Sequence, residues 1–134
     1  MKALFTSFAI STLLLTACGA SLDVATDEEI DAYPEQRPVM EAWQGLVDAV
    51  EAEDCTATLD YFRISLKLDE AACPAIFEYA KDEGMPEIDW SRTNWSSTSG
   101  KAKIYERDGG SVTSFILDES TDTWRADEMF WTQE

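Results

Sequence analysis

Val39, Trp43, Leu46, Val47 and Val50 stand at spacings of 4, 3, 1 and 3, the repeat of one face of an α-helix. Glu41, Gln44, Asp48 and Glu51 fall on the opposite side, and Pro38 suits the first turn. Asp54 has the side chain to cap a second, short helix beginning at Cys55, with Leu59 and Phe62 sharing its apolar face. The following stretch, "RISLKLDEAA", keeps no period and predicts no element. Pro74 restarts a helix in "CPAIFEYAKDEG", which turns Ile76, Phe77 and Ala80 inward and stops at Gly84.

Beyond Pro86 the chain becomes rich in Trp, Thr, Ser and Val, and turn residues punctuate it. Strands are predicted near 88–96, 100–107, 111–118 and 123–132. Asp108-Gly109-Gly110 makes the hairpin turn between the second and third, and Ser120 to Asp122 turns into the fourth. Alternation along the last strand puts Trp124, Ala126 and Phe130 on one face and Met129 and Trp131 on the other. The pattern predicts an α+β chain: N-terminal helices packed on a curved antiparallel β-sheet, as a single domain. At 134 residues the chain has room for one core.

Charge narrows the partners. Asp and Glu number 27 against 10 Lys and Arg, a formal charge of −17. Such a surface repels phosphate backbones and anionic head groups, which argues against nucleic acid. It keeps the protein soluble, or attracts a basic partner or a cation. Histidine is absent. That removes the commonest general base, every Ser-His or Cys-His nucleophile pair and every His-ligated metal. "DESTD" at 118–122 opens like a calcium loop, but Thr123 stands where the loop needs glycine and Met129 where it needs glutamate. Asn94-Trp95-Ser96 has the N-glycosylation spacing only. The residues name no catalytic, metal or cofactor site.

The N-terminus points to a compartment. Lys2 precedes an apolar run, "ALFTSFAISTLLL", from Ala3 to Leu15. The run is shorter than the ~20 residues of a spanning helix and suits the core of a secretory signal. Leu15-Thr16-Ala17-Cys18 resembles the bacterial lipobox. The resemblance implies cleavage after residue 17 and acylation of Cys18, which anchors the protein stably in a membrane. Gly19 in place of an aspartate implies the outer membrane if the cell has one. Residues 18–37 then read as a lipidated acidic tether, with a short capping helix in "DEEIDAY" as the alternative, and 38–134 as the domain. Losing residues 1–17 leaves 27 acids against nine bases.

With Cys18 assigned to lipid, Cys55 and Cys73 remain as a pair. An exported chain with an even remainder predicts a disulfide across the stretch of weak periodicity. Two thiolates without histidine are a poor metal set, and redox pairs are usually closer in sequence.

A long helix ending in "AVEAEDC", a short helix in "TATLDYF", another helix and a meandering sheet resemble the nuclear-transport-factor-2-like (cystatin-like cone) superfamily, in particular its small bacterial lipoproteins. Glu53-Asp54 matches the turn that commonly ends the first helix there. The resemblance implies a pocket between the concave sheet face and the helices, for which Trp43, Trp90, Trp95, Trp124 and Phe130 are candidate lining. The same tryptophans read equally as core. Enzymes of that group pair an aspartate with a histidine, impossible here, or with a tyrosine. Three functions are open: a non-enzymatic extracytoplasmic domain binding an envelope protein or small apolar ligand, an isomerase or lyase using a pocket carboxylate, or an accessory subunit of a cell-envelope complex.

Overall fold

The computed structural model describes residues 22–96 and 98–131. The expected signal segment and the expected lipidation site at Cys18 lie outside the described residues. Four helices precede a four-stranded antiparallel meander: α1 Asp27–Ala32, α2 Arg37–Glu51, α3 Cys55–Asp60, α4 Cys73–Glu83, then β1 Asn94–Ser96, β2 Lys101–Tyr105, β3 Ser111–Asp118 and β4 Thr123–Ala126, in spatial order β1-β2-β3-β4. The architecture is α+β. No helix among the described residues is long and apolar enough to cross a membrane.

Helix α2 is the central element, as its periodicity requires. Val39, Met40, Trp43, Leu46, Val47, Ala49 and Val50 are buried, and Pro38 lies in the first turn. Each fully buried Val, Leu or Met contributes about 1.5–3 kcal/mol of transfer free energy. Asp54 caps α3 by accepting from the Ala57 N–H at 3.1 Å. The side chain that α3 buries is Thr58, not Leu59, which is only partly covered. Phe62 is buried beyond the end of α3. In α4, Ile76 is fully buried, whereas Phe77 and Ala80 sit at the margin.

The sheet turns Ala102, Ile104, Thr113, Phe115 and Ala126 toward the helices, all fully buried. Register aligns Trp95, Ala102, Phe115 and Ala126 across the four strands on this face. A bulge at Ile104/Tyr105 bends the β2–β3 ladder. Asp108 takes the left-handed conformation the hairpin turn needs, φ 66°. The expected outer strands are too long. Residues 90–92 form a 3-10 turn capped by Asp89, leaving β1 only three residues. β4 stops at Ala126, after which the chain folds inward to bury Phe130.

Two segments without a clear period are ordered by long-range contacts. Residues 61–63 run along the free edge of β4. Arg63 N–H donates to the Ala126 carbonyl at 2.9 Å and Ala126 N–H to the Tyr61 carbonyl at 2.6 Å. At the N-terminus, the expectation of a free tether does not hold for residues 22–37. Thr26 and Glu29 form a reciprocal capping box that starts α1. Gln44 Oε1 accepts from the N–H groups of Asp23 and Val24, and Trp90 Nε1 donates to the Val24 carbonyl at 2.8 Å. Ala25 is buried in the core. The folded body therefore includes residues 22–37, and the short capping helix is the alternative that the chain adopts.

Cys55 and Cys73 form a disulfide, with a Cα–Cα distance of 5.8 Å. It joins the first residue of α3 to the first residue of α4. Closing a loop of this length is worth about 3 kcal/mol in the chain-entropy model.

Candidate functional site

The five aromatic residues proposed to line a pocket separate into two groups. Trp43, Trp90 and Phe130 are core: each is at most 3% exposed. Trp43 meets Phe115 and Phe130 edge-on, with centroids 6.4 and 5.6 Å apart. Phe130 also packs on Phe62 and Tyr79. These rings fill the space between helices and sheet where the concave pocket was expected. Trp95 and Trp124 are half-buried on the same sheet face, one against the other at 5.4 Å.

The groups whose titration shifts, Tyr79, Asp89 and Asp118, lie at or near the surface and do not form an acid–base pair. Burial pushes the Tyr79 hydroxyl up from its ordinary value, and the charges of Glu106 and Glu83 push the same way. The carboxyls that shift, Asp89 and Asp118, both shift down, each chiefly through a hydrogen bond from a serine hydroxyl two residues on. Asp118 is further engaged by Arg125 at 3.4 Å, so the "DESTD" stretch is a β-turn anchored by Ser120. Among the described residues no three metal-ligating side chains converge.

The concavities lie on the surface. One of about 410 Å³ opens between the N-terminal segment, α2 and residues 85–88. Val24, Ala25, Trp43, Val47, Met85 and Ile88 make its apolar floor. Asp23, Glu29, Glu51 and Glu87 stand around it, with Arg107 among them. Arg107 is held in place: Nη2 donates to the Ile88 carbonyl at 3.0 Å and lies 3.7 Å from Glu29 Oε2. The capping box places Glu29, the α2 period places Val47 and Glu51 one turn apart, and the Gln44 amide clamps the segment that forms the third wall. The arrangement can hold an apolar body and attract a positive end. Sequence reasoning missed this cleft because its wall was read as tether. The Thr26-x-x-Glu29 spacing was the available sign of an ordered helix start there.

A second cleft, also about 410 Å³, lies at the far edge of the sheet between Arg63, Ile64, Ile116, Leu117 and Arg125. No protein-family model matches the chain, and neither a curated protein nor a solved structure matches it.

Proposed function

We propose that this protein is an extracytoplasmic lipoprotein, anchored through Cys18, whose domain binds a ligand or envelope partner without catalysing a reaction. The filled interior carries the non-enzymatic part: Trp43, Phe115 and Phe130 occupy the space in which a pocket of this architecture would hold a catalytic carboxylate. The disulfide between Cys55 and Cys73 supports an oxidising compartment. The order of helices and meander supports placing the domain near the nuclear-transport-factor-2-like superfamily, with binding moved from the interior to the cleft beside α2. That cleft suits a ligand with an apolar body and a cationic end, since its floor is apolar and four carboxylates surround it.

Anchoring is tested by Cys18→Ser, which is expected to move the protein from the membrane fraction to the soluble one and to remove the acyl mass from the mature chain. An unchanged distribution overturns it. Binding is tested by titrating hexylammonium and hexanoate while following backbone amide shifts. Selective shifts at Val24, Val47 and Ile88 with the ammonium, reduced in Glu51→Gln/Glu87→Gln, are expected. Equal response to both ions, or none, overturns the cleft. Turnover of a small carbonyl substrate that is lost in Tyr79→Phe overturns the non-enzymatic reading.

A further inference from the structure

Charge is unevenly distributed over this acidic chain. Residues 22–87 hold 18 acids against four bases, net −14, whereas residues 88–131 hold eight against five, net −3. Backbone alternation concentrates the difference on one surface. Ala102, Ile104, Phe115 and Ala126 face the helices, so Lys101, Lys103, Ile116 and Arg125 face away from them. Register puts Lys101, Ile116 and Arg125 in one cross-strand row. Tyr105 continues the same face, and the Arg92 guanidinium lies over its ring at 5.0 Å. Arg63 joins from the adjacent segment through Asp127, 3.0 Å away. Five of the nine cationic side chains among the described residues thus lie on the outer face of the sheet.

The pairings on this face leave attraction to spare. The side chains of Lys101 and Lys103 have no hydrogen bond or ion pair among the described residues. The Arg63–Asp127 and Arg125–Asp118 pairs are partly exposed, and such pairs hold their charges only weakly. Beside the arginines, Ile64 is 92% exposed, the most exposed large apolar side chain among the described residues. It edges the second cleft with Ile116 as a wall, where Asp118 and Glu119 also stand beside the two arginines. Cations flanking an exposed aliphatic group match a segment that alternates carboxylates with an apolar residue.

We propose that the outer sheet face docks an acidic, leucine- or isoleucine-bearing segment of another protein, with Lys101, Lys103, Arg63 and Arg125 meeting its carboxylates and Ile64 its apolar side chain. Long polyanions and anionic bilayers extend past the patch into the field of the acidic helices. A short segment need not leave the patch, and acids more than ~8 Å from it are largely screened in physiological salt. This surface is separate from the cleft beside α2 and opposite to it in charge.

The test uses the full-length Cys18→Ser chain and a labelled octapeptide, Glu-Glu-Leu-Glu-Glu-Leu-Glu-Glu, by fluorescence anisotropy at 50 mM and 300 mM salt. Binding is expected at low salt and weakens with salt. Lys101→Glu/Lys103→Glu is expected to weaken it at least tenfold and Ile64→Ser about threefold, while Lys81→Glu on α4 leaves it unchanged. Thermal melts of each variant check folding, and all four positions are solvent-facing enough to tolerate the change. No binding at millimolar peptide, equal binding to the charge-reversed protein, or tighter binding to oligothymidine or phosphatidylglycerol vesicles overturns the proposal. So does self-association abolished by Lys101→Glu/Lys103→Glu. Hexylammonium binding at Val24 and Val47 is read independently, so either surface can fail without the other.

Discussion

Single residues set tolerances that α2 alone does not reveal. Gly45 lies mid-helix, where alanine would gain about 1 kcal/mol of propensity. A Cβ there would overlap the hydroxyl and ring of Tyr61, which packs across the helix. Tyr61 also supplies the carbonyl that holds Ala126. Gly45→Ala is therefore expected to destabilise by about 1–3 kcal/mol, as overpacking outweighs propensity. Urea unfolding measures it, and a stabilised variant would show that Tyr61 swings aside freely. Thr58 presents the opposite case. Its hydroxyl is fully buried without a hydrogen-bond partner among the described residues. Thr58→Val keeps the shape and removes the unsatisfied group, so a gain of about 1 kcal/mol is expected. A loss in the same unfolding measurement would show that the hydroxyl is satisfied in solution. At Asp89 the sign concerns pH. The Ser91 hydroxyl holds its carboxyl below the ordinary 3.8. The contribution is complete above that value and is lost as pH falls through the lower folded value. Asp89→Asn is expected to flatten the decline of stability as pH falls below about 4, followed by urea midpoints; an unchanged slope would assign the decline to other carboxyls.

At the scale of elements, what sequence could reveal depended on the range of the interactions involved. α2 was legible because seven of its side chains serve one buried face. The meander was legible because turns such as Asp108-Gly109 and Ser120–Asp122 are local. The segment at 61–63 was not, since its partner Ala126 lies over sixty residues away and its pairing leaves no period. The N-terminal segment was not, because its order rests on the Gln44 amide and the Trp90 indole, donors and acceptors that a polarity pattern cannot assign. The cleft was hidden with it. Trp90→Phe keeps an aromatic ring in the core but removes part of the indole and, with it, the 2.8 Å hydrogen bond to Val24. Limited proteolysis is expected to cut the variant faster between residues 22 and 33 while the C-terminal sheet stays protected. Uniformly faster cutting would mean instead that the indole supports the whole core.

Over the whole molecule, repulsion and covalent restraint oppose each other. Residues 22–87, the helices with their connections, carry 18 of the 27 acids, and the ion pairs that join elements, such as Lys81–Glu53 at 3.1 Å, are partly or largely exposed. Exposed pairs contribute about 0–1 kcal/mol, whereas a charge of −17 on a small domain repels itself over the whole surface. The two effects respond oppositely to salt: screening weakens the pairs and relieves the repulsion. Because unpaired acids outnumber paired ones, relief dominates, and Tm is expected to rise by several degrees between 10 mM and 500 mM sodium chloride. The disulfide sets a second level. Cys55→Ala/Cys73→Ala removes about 3 kcal/mol, roughly 12 °C at about 4 °C per kcal/mol for a domain of this size. Salt should recover part of that loss, because the ends of α3 and α4 that the bridge holds together are flanked by Asp54, Asp69 and Glu70. Differential scanning calorimetry of both proteins at the two salt concentrations separates the terms. A Tm that falls with salt would show that the ion pairs, and not the self-repulsion, govern the stability of the fold.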